Sequence, residues 1–377
     1  MDRSIVHMDL DSFFVSVELL RRPELRNKPL IIGGEGDRGV VASCSYEARR
    51  FGVRSAMPSR QARTLCPRAI FIRGDMDRYS YYSRLVTEII AEKAPSYEKA
   101  SIDEFYLDIS GMDRFVGCYK WALELKRHIH KECGLPLSFG LSVNKTISKI
   151  ATNEFKPNGS AYIEQGSEKS FIAPLDVGKI PMIGEKTVAR LQSLGVFKVG
   201  ALSQTPPETL EKMFGQHGLL MWRRSNGIDH TPVIPYTERK SISTEETFQA
   251  DTANIVALRS ALAKMVEELG YTLRSKSFMA GRVTVKIRYS DFETHTRQAS
   301  ISFSASDTIL LTTAQALFDR LYSRGALVRL LGVRLSELVR GHYQASLFED
   351  YKREASLYQA MDKIRNKYGP KSIGRAL

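Results

Sequence analysis

The sequence predicts an α+β protein of several domains, and three observations carry that expectation. Short apolar strands and amphipathic helices alternate irregularly over residues 1–163, and residues 170–229 read as short-looped helices alone. Beyond a linker containing Pro232, Pro235 and the charged run Glu238-Arg239-Lys240, a second α+β unit runs from Ser241 to about Gly341. A chain of 377 residues has room for roughly two to four domains, each with its own core. There is no internal repeat and no low-complexity tract.

In chain order, Ile5 to Asp9 reads as a strand. Ser12 to Leu20 has helical spacing, with Phe13, Val17 and Leu20 on one face, and Pro23 ends it. Residues 38–45 form an apolar run after a glycine-rich turn, and Tyr46 to Phe51 starts a short helix. Residues 78–93 are expected to be helical with Tyr82, Leu85, Ile89 and Ile90 inward. Ala100 to Ile109 reads as strand, tight turn, strand; residues 119–132 as helix; Leu137 to Val143 as strand. Composition shifts after Gly159. In the second unit the spacing predicts a helix at 253–273 and strands at 281–289 and 295–304. A polar segment follows, then a last amphipathic helix with Leu357, Met361 and Ile364 on one stripe.

Hydrophobic residues make up 43% and charged residues 26%, as in ordinary globular proteins, which argues against a disordered chain or a membrane protein. A formal net charge of +13 points to a polyanionic partner, with nucleic acid favoured over a merely basic surface. Cys44, Cys66, Cys118 and Cys133 show no Cys-x-x-Cys pairing and no zinc spacing with histidine, so they read as reduced packing thiols. The N-terminus enters a strand directly, without a signal region, and no apolar run could cross a bilayer. The expectation is a soluble, cytoplasmic protein.

The chemistry concentrates in acids at strand ends. Asp9 closes the first strand where the backbone turns into a helix, and Asp103 and Glu104 sit at the turn of a hairpin. Neighbours on a regular strand point to opposite faces, but a turn lets both serve one site. Three converging carboxylates repel one another unless cations neutralise them. Oxygen-only ligation favours Mg²⁺. Two such ions roughly 3.5–4 Å apart can activate an attacking oxygen and stabilise a leaving one. Solvated turn acids would look the same for either segment alone. Period-two alternation would also add Asp11 as a fourth candidate. Tyr46 and Arg49, three apart on a helix, pair a phenol with a guanidinium, which suits phosphate oxygens; an ordinary helix face would read identically.

Taken together, Met-Asp-Leu-Asp-Ser-Phe-Phe, Ser-Tyr-Glu-Ala-Arg-Arg-Phe-Gly-Val, Ser-Ile-Asp-Glu and Lys-Pro-Asn-Gly occur in the order and at the separations of the Y-family, or translesion, DNA polymerases. The chain resembles that family, most of all its bacterial polymerase IV branch, from Ile5 to about residue 345. The resemblance implies a right-hand polymerase. Its palm would be formed by residues 1–10 and 73–163, its small fingers by 11–72, and its helical thumb by 164–231. A linker at 232–240, a little-finger domain at 241–341 and a tail at 342–377 would complete it. By the same resemblance Asp9 and Asp103 hold two Mg²⁺ ions, Glu104 holds the one at the primer 3′-hydroxyl, and the Leu10 carbonyl completes the nucleotide-side ion. Asp11 becomes a structural acid. Ser43, Tyr46, Arg49 and Lys156 would bind the incoming triphosphate, and Phe14 would be a steric gate against a 2′-hydroxyl. The implied reaction adds deoxynucleotides to a primer with release of pyrophosphate. Low fidelity, no proofreading and lesion bypass in DNA repair go with it, in a monomer.

Three further segments read as contacts with macromolecules. Val177 to Thr187 looks like a helix–hairpin–helix, which would grip a DNA phosphate near Gly184 and Lys186, with Met182 where that motif usually has glycine. Arg282, Thr284, Lys286 and Arg288 share one strand face, and Thr294, Thr296, Gln298, Ser300 and Ser302 share the next, a surface suited to duplex phosphates. Gln344-Ala345-Ser346-Leu347-Phe348 resembles a sliding-clamp-binding peptide, with Gln344 as polar anchor and Leu347 and Phe348 as plug. Two rivals stay open on sequence: a non-catalytic DNA-binding scaffold of the same superfamily, and a palm-domain nucleotidyl cyclase.

Overall fold

The computed structural model describes residues 3–34, 36–112, 117–341, 351–369 and 372–374. The chain divides into two compact units between Thr237 and Glu238.

The first unit opens with β1 (Ile5–Leu10), α1 (Phe13–Arg21), β2 (Leu30–Gly33), β3 (Val41–Cys44), α2 (Tyr46–Arg50), α3 (Ser59–Leu65) and β4 (Ile70–Ile72). It continues with α4 (Met76–Lys93), β5 (Ser96–Lys99), β6 (Glu104–Asp108), α5 (Cys118–Cys133), β7 (Leu137–Ser142), α6 (Lys145–Glu154) and β8 (Ser160–Tyr162). Among the described residues a five-stranded sheet has the order β5-β6-β1-β7-β8, with β1 antiparallel to both neighbours. A small sheet, β3-β2-β4, lies in the segment between β1 and α4.

β1 is buried along its whole length. Val6, Met8 and Leu10 join Phe105, Leu107, Phe139 and Leu141 in a core completed by Ile90 of α4 and Ile129 of α5. Ile5 and His7, on the opposite face, meet α6: Ser148 Oγ donates to the Ile5 carbonyl at 2.7 Å and Thr152 Oγ1 to that of His7 at 3.0 Å. α6 can approach this closely because β7 carries Gly140. A Cβ there would come within 2.4 Å of the Ser148 carbonyl oxygen. On α4 the buried stripe is Tyr79, Ser83, Val86 and Ile90, while Tyr82, Leu85 and Ile89 are only partly covered at its flank. Tyr79 and Ser83 have polar partners in the interior, Glu18 and the Ile102 carbonyl, and these rotate the helix away from its purely apolar stripe.

Short helices follow: α7 (Glu168–Ile172), α8 (Glu185–Gln192), α9 (Val199–Gln204), α10 (Pro207–Phe214) and α11 (Gln216–Ser225). Leu191, Val199, Leu202, Leu210 and Met221 gather with Ile147 and Ile150 of α6 into a second core, so α6 is shared between the sheet and the helical cluster.

The second unit contains β9 (Ser241–Thr252), α12 (Ile255–Ser275), β10 (Phe278–Tyr289), β11 (Thr294–Ser304), α13 (Asp307–Leu321), β12 (Val328–Arg340) and α14 (Tyr351–Tyr368). The sheet runs β11-β10-β12-β9, antiparallel throughout. Val283, Val285, Ile287, Val333 and Leu335 face Leu258 and Leu262 of α12 and Leu310 and Phe318 of α13.

The closing helix corrects an expectation. Its packed stripe is Tyr358, Met361 and Arg365, whereas Leu357 is 54% exposed and Ile364 38%. Polar partners choose the face. The Tyr358 hydroxyl accepts from Thr308 N at 3.2 Å, Asp362 meets Arg274 at 2.7 Å, and Arg365 meets Glu267 at 3.4 Å. Arg274 also reaches Asp307 at 2.6 Å, tying α12, α13 and α14 together. Tyr358→Ala should therefore destabilise the protein by about 3 kcal/mol, as a core aromatic deletion does. Leu357→Ala should stay within about 0.5 kcal/mol, as at an exposed site. Urea denaturation of the two variants measures this, and the reverse ranking would return the helix to its Leu357 face.

Candidate active site

The register of β1 assembles the acids. Asp9 pairs with Glu104 of β6 on one side and with Ser138 of β7 on the other. Directly opposed residues in an antiparallel pair share a face, so Asp9 and Glu104 are neighbours. One step further, Leu10 N donates to the Asp103 carbonyl at 3.1 Å, which brings the hairpin turn beside the end of β1. Ser101 shapes that turn: its hydroxyl accepts from Asp103 N at 3.2 Å and Glu104 N at 3.0 Å and donates to Asp103 Oδ1 at 2.6 Å.

Each of the other two carboxylates has a lysine. Lys156 Nζ lies 2.5 Å from Asp9 Oδ1, and Lys149 Nζ lies 2.6 Å from Glu104 Oε2. Burial pushes the Asp9 carboxyl up to about 7, against the pull of Lys156 and with the charges of Asp103 and Glu104 adding to the rise. Burial also acts to raise Glu104, but Lys149, paired with it at 2.6 Å, outweighs burial and holds the group well below the ordinary carboxylate range. His7, fully buried, is itself lowered to about 4 by desolvation and is neutral at pH 7. Its Nδ1 lies 2.9 Å from Thr152 Oγ1, and its Nε2 is 4.0 Å from Glu104, beyond hydrogen-bond reach.

Asp9, Leu10, Phe14, Ser43, Arg49, Asp103 and Lys156 line one cavity of about 130 Å³, together with Ser12, Phe13, Ala42 and Ser55. Phe13 is a core residue, 2% exposed. Phe14 stacks on buried Tyr79 with ring centroids 4.2 Å apart and planes at 13°, and Tyr79 is fixed by its hydroxyl on Glu18 at 2.9 Å. Ser45 caps α2 by accepting from Ala48 N, which sets the pitch that puts Tyr46 and Arg49 side by side. The Arg49 guanidinium sits 5.1 Å from the Tyr46 ring centre and its Nε donates to the Cys44 carbonyl at 3.3 Å. The Tyr46 hydroxyl donates to Asp11 Oδ1 at 3.3 Å. Glu104 and Tyr46 do not line the cavity; Glu104 pairs with Lys149 and Tyr46 with Asp11.

Among the described residues no group of three or more His, Cys, Asp and Glu side chains is arranged to hold a metal as it stands. The donor set nonetheless fits a hard divalent cation. It offers only oxygens, and Asp9 is raised by burial and, further, by its acidic neighbours, which added positive charge would offset. Lys156 and Lys149 now supply that charge.

Elsewhere in the first unit, Met182 at the hairpin before α8 adopts φ 75° and is 73% exposed. A left-handed conformation there explains why glycine is the easier residue, and the turn forms around methionine all the same. Gly184 is the N-cap of α8, and Lys186 lies exposed in its first turn. In the second unit, Arg282 pairs with Ser300, Thr284 with Gln298, Lys286 with Thr296 and Arg288 with Thr294, so the two polar strand faces coincide. β12 adds Arg334 opposite Thr284. Acids stand on this surface too: Glu245 binds Lys286 at 2.9 Å and Glu337 binds Arg282 at 2.7 Å. Gln344, Leu347 and Phe348 lie outside the described residues.

Known proteins match along nearly the whole chain. The impB/mucB/samB family matches residues 8–153, its C-terminal domain residues 239–347, and the family's HHH motif residues 166–196. The DNA polymerase IV of Dehalococcoides mccartyi (strain CBDB1) is 40% identical over 375 residues, covering 98% of this chain and 96% of the relative. That of Methanoculleus marisnigri is 38% identical over 352 residues, covering 92% and 98%. A solved Y-family DNA polymerase chimera superposes with a TM-score of 0.78 at 26% identity, covering 90% of this chain and all of the chimera. The chain belongs to the impB/mucB/samB family, that of the Y-family DNA polymerases. Its α+β fold is accordingly the palm, fingers, thumb and little-finger architecture.

Sequence reasoning missed Lys149, Tyr79 and Arg334. Lys149 was findable: Asn144 caps α6, and Ile147, Ile150 and Ala151 are its buried stripe, which leaves Lys149 to one side. Nothing local marks Tyr79 as the support of Phe14.

The raised Asp9 also predicts a pH dependence. The folded state holds a proton at Asp9 that the unfolded chain has lost, so the Asp9 contribution to metal-free stability falls as pH rises from about 4 to about 7, while buried His7, lowered to about 4, contributes in the opposite direction over most of that range. Asp9→Asn should remove the falling contribution alone and raise the melting temperature of the metal-free protein more at pH 8 than at pH 5. Equal shifts at both pH values, read by scanning calorimetry in chelator, would contradict the assignment.

Proposed function

We propose that this chain, a DNA-directed DNA polymerase by family, extends primer–template DNA with deoxynucleoside triphosphates as a translesion enzyme of low fidelity without proofreading. The observation that carries the reading is one cavity. It is lined by Asp9 and Asp103, by Arg49, Lys156 and Ser43, whose chemistry suits a triphosphate, and by Phe14.

Asp9 and Asp103 would hold two Mg²⁺ ions, with Glu104 on the one at the primer terminus and the Leu10 carbonyl on the other. Bound there, the ions supply Lewis-acid activation of the attacking oxygen and neutralise charge at the leaving one. Arg49 and Tyr46 orient the triphosphate, Arg49 with planar charge-assisted donors and Tyr46 with its phenolic O–H, which would turn to a phosphate oxygen from Asp11 Oδ1, where it donates at 3.3 Å. Lys156 would exchange its carboxylate partner for phosphate oxygens. The primer 3′-hydroxyl would lose its proton to solvent water as its oxygen bonds to the α-phosphorus, the α–β anhydride P–O bond breaks, and pyrophosphate leaves.

Phe14, braced by Tyr79, meets the sugar as a flat wall and leaves no room for a 2′-hydroxyl. The domain limits would be palm 1–10 and 73–163, fingers 11–72, thumb 164–231, linker 232–240, little finger 241–341. The duplex would be gripped near Gly184 and Lys186 and on the Arg282–Lys286–Arg288 face. Gln344, Leu347 and Phe348 would engage a sliding clamp, and the enzyme would act as a cytoplasmic monomer. Among the described residues no helix is long and apolar enough to cross a membrane.

Primer extension on a templated duplex tests the core of this reading. Asp103→Ala and Glu104→Ala should each cut extension by about a thousandfold or more while duplex binding persists; extension retained in both would sink it. Phe14→Ala should raise ribonucleotide incorporation by at least about tenfold over the parent, and an unchanged ratio would remove the gate.

A further inference from the structure

Asp11 is 2% exposed, sits just beyond the last residue of β1, and has no part in the reaction as derived above. Its carboxylate is nevertheless the meeting point of three chain segments. Oδ1 accepts the Tyr46 hydroxyl of α2 at 3.3 Å, and Oδ2 accepts the Asn158 backbone N–H at 2.7 Å. Ser138 of β7 donates to both oxygens at 3.0 Å and accepts from Gly159 N at 3.0 Å, so it bridges the carboxylate to the next residue of the same turn.

That turn carries Lys156. From its other side it is held by Lys126 of α5, 9% exposed, whose Nζ donates to the Asn158 carbonyl at 2.7 Å, the Gly159 carbonyl at 3.0 Å and Ser160 Oγ at 3.2 Å. Asn158 adopts φ 52°, and a Cβ at Gly159 would fall on the Phe155 carbonyl, so the turn has little freedom to find another path. One carboxylate thus accepts from the backbone N–H groups, directly or through Ser138, while one ammonium collects the carbonyls.

We infer that Asp11, backed by Lys126, is a positioning residue for the triphosphate. It holds Tyr46 and the Lys156 turn, which come from segments 110 residues apart (156 − 46), at a fixed separation. The chemistry suits the task. A buried carboxylate is costly without several donors, and here the Asn158 N–H and Ser138 keep both oxygens satisfied while the Tyr46 hydroxyl rests against Oδ1. Its oxygens are engaged by protein donors, which is why alternation along β1 does not make it a further cation ligand. This inference rests on reading Tyr46 and Lys156 as triphosphate contacts.

The test compares Asp11→Asn and Lys126→Met with Tyr46→Phe and Lys156→Ala in steady-state primer extension, with duplex Kd and melting temperature measured beside it. Asp11→Asn should raise KM for the deoxynucleoside triphosphate by about tenfold, with duplex Kd unchanged within about twofold. Lys126→Met should move the same parameter in the same direction. Placed on top of Tyr46→Phe and Lys156→Ala together, Asp11→Asn should add less than about twofold, because the groups it positions are gone. If Tyr46→Phe and Lys156→Ala leave KM unchanged, the reading of the contacts fails. If they raise it and Asp11→Asn does not, or its effect is fully additive, the positioning role is overturned. Should Asp11→Asn fail to fold, Ser138→Ala keeps the carboxylate and should raise KM by about threefold with duplex Kd unchanged; no change in KM would then overturn the inference.

Discussion

The pairing register of β1 is the constraint on which the site depends. Because both neighbouring strands are antiparallel to it, Asp9 is opposed by Glu104 on one side and Ser138 on the other. A slip of one residue would turn Asp9 into the layer occupied by Met8 and Leu10 and bring His7 out of its place under α6. Burial of both faces forbids that slip. The apolar alternation of a single short strand therefore also decides where the carboxylates meet.

Bringing acids together in a buried place has an electrostatic cost, and α6 meets most of it. The helix packs on the sheet through the bare backbone of Gly140, presents Lys149 to Glu104, and leads directly into the turn that carries Lys156 to Asp9. The same helix contributes Ile147 and Ile150 to the core of the following helical cluster. Stability, charge balance and the link to the next group of helices thus share one element. The resting site is an acid–lysine lattice already near neutrality, and an incoming magnesium–triphosphate assembly, as proposed, would exchange partners within it.

What the sequence made legible were the features with local grammar. The first strand and helix, the Ala100–Ile109 hairpin, the helical stretch and the alternating strand Arg282–Tyr289 all have periods or turn residues that report on themselves. What stayed hidden depends on partners far along the chain. Tyr79 matters because Phe14 stacks on it, and Lys149 because Glu104 faces it. The last helix shows the limit most clearly. Its apolar stripe pointed to Leu357, Met361 and Ile364, yet of these only Met361 buries, beside a tyrosine and an arginine with hydrogen-bonding partners on two other helices. Hydrophobic periodicity counts apolar area and has no means of counting satisfied polar groups.

The carboxylates on the sheet face of the second unit have a consequence for how its basic charge is spent. Lys286 and Arg282 are not waiting cations, because Glu245 and Glu337 already occupy them. On the proposed reading of this face, a phosphate arriving there would displace a carboxylate, so the free energy of capture would be the difference between two ion pairs and not the whole of one. The formal excess of 13 positive charges would then overstate the attraction of this face for a polyanion.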